Sequence, residues 1–247
     1  MMKKSFNKMS CLMATVLAVS APVVYADTPH EFSANVAIST DYLFRGISQT
    51  DGGPAVSGGF DYTYTPLGLY IGTWASSIEF NDGGSPVEID YYGGFAGELS
   101  NGIGWDIGAI YYDYPQGDDT GLGADLEYFE VYGSLGYTFA AAWEPTVGVF
   151  VAYSPDFFGE TGDAVAVEGS LGLSLPIWGL GLSTSIGHQD VDEIGEYQYW
   201  SVGLSKDISI FTFDVTYSGT ADTSDDFCPG VSDFCVDTVV FTLSSSF

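Results

Sequence analysis

"IFTFDVTYSG", residues 210–219, sets Phe211, Phe213, Val215 and Tyr217 on one side of the chain and Thr212, Asp214, Thr216 and Ser218 on the other. A period of two is the mark of a β-strand with one apolar and one polar face. The pattern recurs in both directions. "AVAVEGSLGLSL" (164–175) opposes Val165, Val167, Leu171, Leu173 and Leu175 to Ala166, Glu168, Ser170, Gly172 and Ser174. "VEIDYYGGFAGEL" (87–99) opposes Val87, Ile89, Tyr91, Phe95 and Leu99 to Glu88, Asp90, Tyr92 and Glu98. No stretch beyond residue 26 has helical periodicity.

Twelve such runs are predicted: Phe32–Arg45, Ala55–Thr65, Leu69–Phe80, Val87–Leu99, Ile103–Tyr114, Leu126–Thr138, Pro145–Ser154, Ala164–Leu175, Leu180–Val191, Tyr197–Leu204, Ile208–Ser218 and Val236–Phe247. Their connections alternate in length. "PLG" (66–68), "SNG" (100–102), "PIWG" (176–179) and "SKD" (205–207) are short, while 46–54, 81–86, 115–125, 155–163, 190–196 and 219–235 are longer. Tight turns at one end and loops at the other describe an antiparallel up-and-down meander, all-β and single-domain.

The first residues stand apart. Lys3, Lys4 and Lys8 precede the mostly apolar run Cys11–Val24, and Val24-Tyr25-Ala26 has small-x-small spacing before Asp27. Residues 1–26 therefore read as a cleaved export signal. The run is shorter than the ~20 residues a spanning helix needs. Residues 27–247 then hold two basic side chains, Arg45 and Lys206, against 33 carboxylates. That balance argues against nucleic acid as a partner, since phosphates repel carboxylates. An aromatic content of 16% excludes an acidic disordered chain, which has few aromatics. Of the three cysteines, Cys228 and Cys235 fall after the leader. Export carries them through an oxidising compartment, and a loop disulfide is favoured over two free thiols.

A soluble sandwich would hide its apolar faces in a core. Three features favour a membrane barrel instead. The polar faces carry carboxylates, tyrosines and small residues suited to a lumen. Trp105, Tyr111, Tyr137 and Tyr217 fall near strand ends, as interfacial girdles do. The chain ends "VVFTLSSSF" (239–247), an amphipathic strand closing on Phe247, like the assembly signal of bacterial outer-membrane barrels. In hydrocarbon every backbone N–H and C=O must be paired, so the strands must close on themselves. Twelve strands give a barrel between side-chain-filled eight-stranded cores and open sixteen-stranded channels.

"STDYLFRGISQT" (39–50) and "GLYIGTWASSI" (68–78), with the alternating strands and the terminal Phe, resemble the TorF-type porin-like family of bacterial outer-membrane proteins, whose substrate is unassigned. The resemblance implies fold and location rather than mechanism. The expected partners are the lipid bilayer and lipopolysaccharide, small solutes and the barrel assembly machinery. No cofactor is expected.

With Val36, Ile38, Thr40, Tyr42 and Phe44 assigned to lipid, Asp41 and Arg45 fall on the lumen face. A lipid-facing arginine at midplane would cost about 2–4 kcal/mol. The expected lumen and selectivity residues are Arg45, Asp41, Asp61, Glu88, Asp90, Asp106, Glu130, Glu168 and Asp214. A guanidinium can bridge several carboxylates, so Arg45 is either a fastener of the lumen or a constriction residue. Asp41 is nearest along the strand, but four residues span about 13 Å. The expected partner is therefore Asp61 or an acidic residue in the loop before the last strand.

The expected function is passive diffusion of small cationic or neutral solutes, because carboxylate-lined pores favour cations. A closed barrel that only presents loops is the alternative, and an outer-membrane enzyme a lesser one. Catalysis by serine needs a histidine within hydrogen-bond reach. His30 lies in the N-terminal lead, and His188 shares the lipid parity of Leu180, Leu182 and Ile186. No catalytic residue is assigned. "GDDTGLGAD" (117–125) and "DTSDDF" (222–227) are oxygen-rich but lack EF-hand spacing, so no metal site is assigned. Both termini are expected to be periplasmic.

Overall fold

Apolar–polar alternation becomes twelve antiparallel strands closed into a barrel. The computed structural model describes residues 28–80, 84–115, 125–223, 227–228 and 234–247. The expected export signal at 1–26 lies outside these residues, as does most of the acidic loop 117–125. The barrel strands are β1 (His30–Ser39), β4 (Ala55–Tyr64), β5 (Leu69–Ser77), β6 (Val87–Glu98), β7 (Gly104–Asp113), β8 (Tyr128–Thr138), β9 (Thr146–Ser154), β10 (Ala164–Leu175), β11 (Leu180–Val191), β12 (Gly195–Ile208), β13 (Phe211–Ala221) and β14 (Thr238–Ser246). Two further strands, β2 (Leu43–Phe44) and β3 (Ile47–Ser48), form a separate hairpin.

Each barrel strand pairs with its sequence neighbours, and β1 closes the ring against β14 in the register Asn35↔Ser246 to Ser39↔Thr242. The last residue completes this seam. Phe247 donates its N–H to the Ala34 carbonyl at 2.9 Å, and its own carbonyl accepts from Ala34 N–H at 3.1 Å. Closure leaves no strand edge unpaired, the condition hydrocarbon imposes.

The faces are inverted relative to a water-soluble protein. Val36, Ile38, Phe60, Ile71, Ile107, Val149, Val215 and Phe241 are exposed, while Glu88, Asp90, Asp106, Glu130, Glu168 and Asp214 are buried. Burying carboxylates and exposing branched aliphatics is costly in water. The arrangement is favourable when the outer surface meets lipid and the inner one encloses a polar lumen. Strands of 9 to 14 residues match the ~9–11 residues a tilted strand needs to cross a bilayer.

Four segments depart from expectation. The strand expected over Phe32–Arg45 stops at Ser39, and residues 40–54 turn into the barrel, taking Tyr42 and Phe44 away from lipid. The strand expected over Leu69–Phe80 ends at Ser77. The "SKD" turn is absent: β12 runs through it to Ile208, and the turn is Ser209–Ile210, with Ser209 at φ 60°. The expected long loop at 190–196 is a three-residue turn, because Val191 pairs with Gly195.

Candidate functional site in the barrel lumen

The hairpin β2–β3 explains the chain's one buried arginine. Leu43 pairs with Ser48 and Phe44 with Ile47, leaving Arg45-Gly46 as a two-residue turn with φ of 47° and 83°. Two positive φ values define the type I′ turn that suits the strand twist. At its base, Ser48 Oγ and Thr50 Oγ1 donate to Asp41 Oδ1 at 2.6 and 2.8 Å, and Gln49 N–H donates to the Tyr42 carbonyl at 2.7 Å. Burial pushes the Asp41 carboxyl above the usual carboxylate range, against the hydrogen bonds from Ser48 and Thr50.

The hairpin crosses the lumen. Tyr42 near its base donates to Glu88 Oε1 on β6 at 2.6 Å and packs edge-on against Trp74 of β5. Its tip reaches the opposite wall. A Cβ at Gly46 would lie 2.8 Å from Thr220 Cγ2 and 2.9 Å from Tyr199 Cβ, so only glycine fits both the φ and the space. Ser48 N–H donates to the Phe234 carbonyl at 2.7 Å, beside the Cys228–Cys235 disulfide that forms as expected.

Arg45 is 1% exposed. Its Nη1 and Nη2 donate to Glu130 Oε1 and Oε2, both at 2.8 Å, and Nη1 also donates to Gln189 Oε1 at 2.7 Å. This is the two-pronged geometry guanidinium offers a carboxylate. The Phe44 ring lies 4.7 Å from the guanidinium carbon. Burial alone would push the guanidinium down, but the charge and hydrogen bonds of Glu130 carry it above its ordinary value.

The partner is thus Glu130, with Gln189 added, rather than Asp41 or Asp61. The expectation of a partner on the neighbouring strand or in the loop before the last strand failed because Arg45 is carried across the barrel on a turn. Glu168 lies near enough to feel its charge. The other expected lumen residues are held separately: Glu88 by Tyr42 and Tyr114, Asp106 by Tyr70, Asp61 by Tyr92 and Asp214 by Thr216. One Asp90 carboxylate oxygen is buried without a hydrogen bond. Gln189 escaped sequence reasoning, although its parity on β11, opposite to His188, marks it as inward.

Inward side chains divide the lumen. On β8, Tyr128, Glu130 and Tyr132 are buried, Ser134 is half-buried and Thr138 exposed. On β10, Ala164, Ala166 and Glu168 are buried and Ser174 is exposed. The loop-side half is filled by the hairpin and by an aromatic cluster that includes Tyr112, Tyr114, Tyr128 and Phe150, with Phe44, Phe80, Phe157 and Phe158 packed against it. Inward positions toward the turns carry small and polar residues, of which Thr138 and Ser174 are exposed and Thr212 and Ser244 are buried. Among the described residues, no three His, Cys, Asp or Glu side chains come together to hold a metal ion.

A closed twelve-stranded antiparallel barrel with an apolar belt and a polar lumen is a porin-like outer-membrane fold. A family model described as "Bacterial protein of unknown function (Gcw_chp)" matches residues 24–247, and the chain belongs to that family. Among solved structures it is similar to the KdgM porin (TM-score 0.53, 7% identity, covering 87% of this chain and 98% of that one). It is similar also to the NanC porin (TM-score 0.54, 8% identity, covering 88% and 99%). Identities this low speak for the fold alone. No curated protein matches the sequence.

Proposed function

We propose that the protein is an outer-membrane channel for passive diffusion of small cationic or neutral solutes, reached after export and removal of residues 1–26. The observation that carries this reading is the inward set of carboxylates facing a single buried cation. Arg45 is matched by Glu130, so Asp61, Glu88, Asp90, Asp106, Glu168 and Asp214 have no second arginine or lysine in the lumen. An acidic lining favours cations and repels anions. The likeness to two porin folds agrees with a channel.

The inserted hairpin favours a second reading, a barrel that stays closed. Conductance of purified protein in a planar bilayer separates the two. The channel reading expects discrete current steps, with a reversal potential on the cation side in a KCl gradient. Anion-sided reversal contradicts the selectivity, and silence under all voltages favours the closed barrel. Serine catalysis gains no support: His30 bonds Tyr62, and His188 faces outward beside Glu196.

A further inference from the structure

We propose that the wall beneath the hairpin tip is a binding site for guanidinium-bearing solutes, occupied in this structure by Arg45 as an internal ligand, and that such a solute opens the loop-side lumen by competing with Arg45. The inference rests on the channel reading and names a solute class for it.

Three observations support it. First, the receptor is provided by the wall and the ligand by a detachable element. Glu130 on β8 and Gln189 on β11 hold the guanidinium from strands of a closed sheet, while Arg45 arrives on a two-stranded hairpin that shares no ladder with the barrel. Displacing residues 41–54 breaks side-chain contacts and two backbone hydrogen bonds outside the strands, Ser48 N–H to the Phe234 carbonyl and Glu79 N–H to the Gln49 carbonyl, but leaves Thr40 bonded to Phe241 and every barrel ladder intact. Second, the receptor exceeds what Arg45 uses. Gln189 Nε2 is fully buried and donates to nothing, and Arg45 Nε likewise has no acceptor. Glu168 adds a second carboxylate near the guanidinium without a hydrogen bond to it from Arg45. A free solute with an acceptor beside its guanidinium would satisfy the Gln189 amide that Arg45 leaves unmet. Third, the surroundings select a planar cation. Tyr112 and Tyr128 stack with centroids 4.4 Å apart next to Glu130, and Tyr112 and Tyr199 lie within electrostatic reach of the guanidinium. A carboxylate held for two-pronged donation suits a planar guanidinium better than a compact, strongly hydrated ammonium.

Competition follows from linkage. A solute that binds only the wall left by a withdrawn hairpin shifts the population toward that state by its differential affinity. In the hairpin-in state the solute finds its place taken.

The test uses the full barrel in detergent and in bilayers. Arg45→Ala empties the site, and methylguanidinium is the probe, with methylammonium at equal ionic strength as control. Methylguanidinium at ten times its Kd should raise the thermal midpoint of Arg45→Ala by about 3–6 °C, and methylammonium should leave it unmoved. Adding Glu130→Gln should abolish the rise. On wild-type protein, agmatine should raise the fraction of time open, and putrescine should not. If Arg45→Ala fails to assemble, Arg45→Gln replaces it in the same titration. Equal responses to methylguanidinium and methylammonium, or a response that survives Glu130→Gln, overturn the site. A thermal shift without conductance in any variant upholds the site and removes the channel reading; conductance without a shift does the reverse.

Discussion

Arg45→Ala tests how the hairpin is held. The substitution removes a forked pair at 2.8 Å on both prongs and a third bond at 2.7 Å to Gln189, all at a residue that is 1% exposed. Removing one partner of a buried, hydrogen-bonded pair costs about 3–5 kcal/mol, because the remaining charge is stranded. No barrel ladder involves Arg45, so the cost falls on the equilibrium between inserted and withdrawn hairpin. At about 1.4 kcal/mol per factor of ten, that equilibrium moves by two to three and a half powers of ten. Arg45 also holds a left-handed backbone, φ 47°, at about 1–2 kcal/mol for a side-chain-bearing residue. Arg45→Gly relieves that strain, so it should release the hairpin less than Arg45→Ala. Arg45→Lys keeps the charge without the fork and should fall between wild type and alanine. The assay is single-channel recording, paired with labelling of a cysteine at Ser48, a residue buried in the inserted hairpin. Arg45→Ala should show much more open time and fast labelling. Wild-type open time together with slow labelling would refute the latch.

Gly46→Ala should release the hairpin by a different route, since its Cβ collides with Thr220 and Tyr199 at φ 83°; single-channel open time should rise with the barrel's heat-modifiable gel shift unchanged. Ile107→Lys puts a charge on the exposed apolar face and should cost about 2–4 kcal/mol if it lies near the bilayer midplane, read as a lower urea midpoint of the folded barrel in lipid. Reduction of Cys228–Cys235 should loosen the loop that accepts from Ser48 and raise open time modestly, less than Arg45→Ala does. A cysteine at Glu160 should be labelled on intact cells, and one at Asn101 only after disruption; the opposite result reverses the orientation.

Much of the barrel was legible because lipid enforces a strict rule: a period of two with apolar residues outward. Val165, Val167, Phe211, Phe213 and Val215 announce it, and parity alone identified Glu88, Asp90, Asp106, Glu130, Glu168 and Asp214 as inward. Parity cannot see where a strand leaves the wall. "TDYLFRGIS" continues the alternation beyond Ser39, so the run read as one long strand. The contrary signal was Arg45-Gly46, a two-residue turn with glycine second between Leu43-Phe44 and Ile47. The Glu130 partnership spans 85 residues and Gln189 lies 144 away, separations that no local pattern encodes. The "SKD" segment misled for a related reason. Charged Lys206 and Asp207 suggested a turn, but ladder pairing carries β12 through them to Ile208, and the chain turns only at Ser209, where φ is positive.

The reversal potential of wild-type and Arg45→Ala protein across a KCl gradient in a planar bilayer tests the acidic, hairpin-latched lumen most directly. Wild type should show brief, small openings and Arg45→Ala long ones, with a cation-sided reversal potential in both, more strongly so in the variant that lacks the one lumen cation. An anion-sided potential, or a barrel that folds normally yet passes no current with Arg45 removed, would contradict that picture of the lumen.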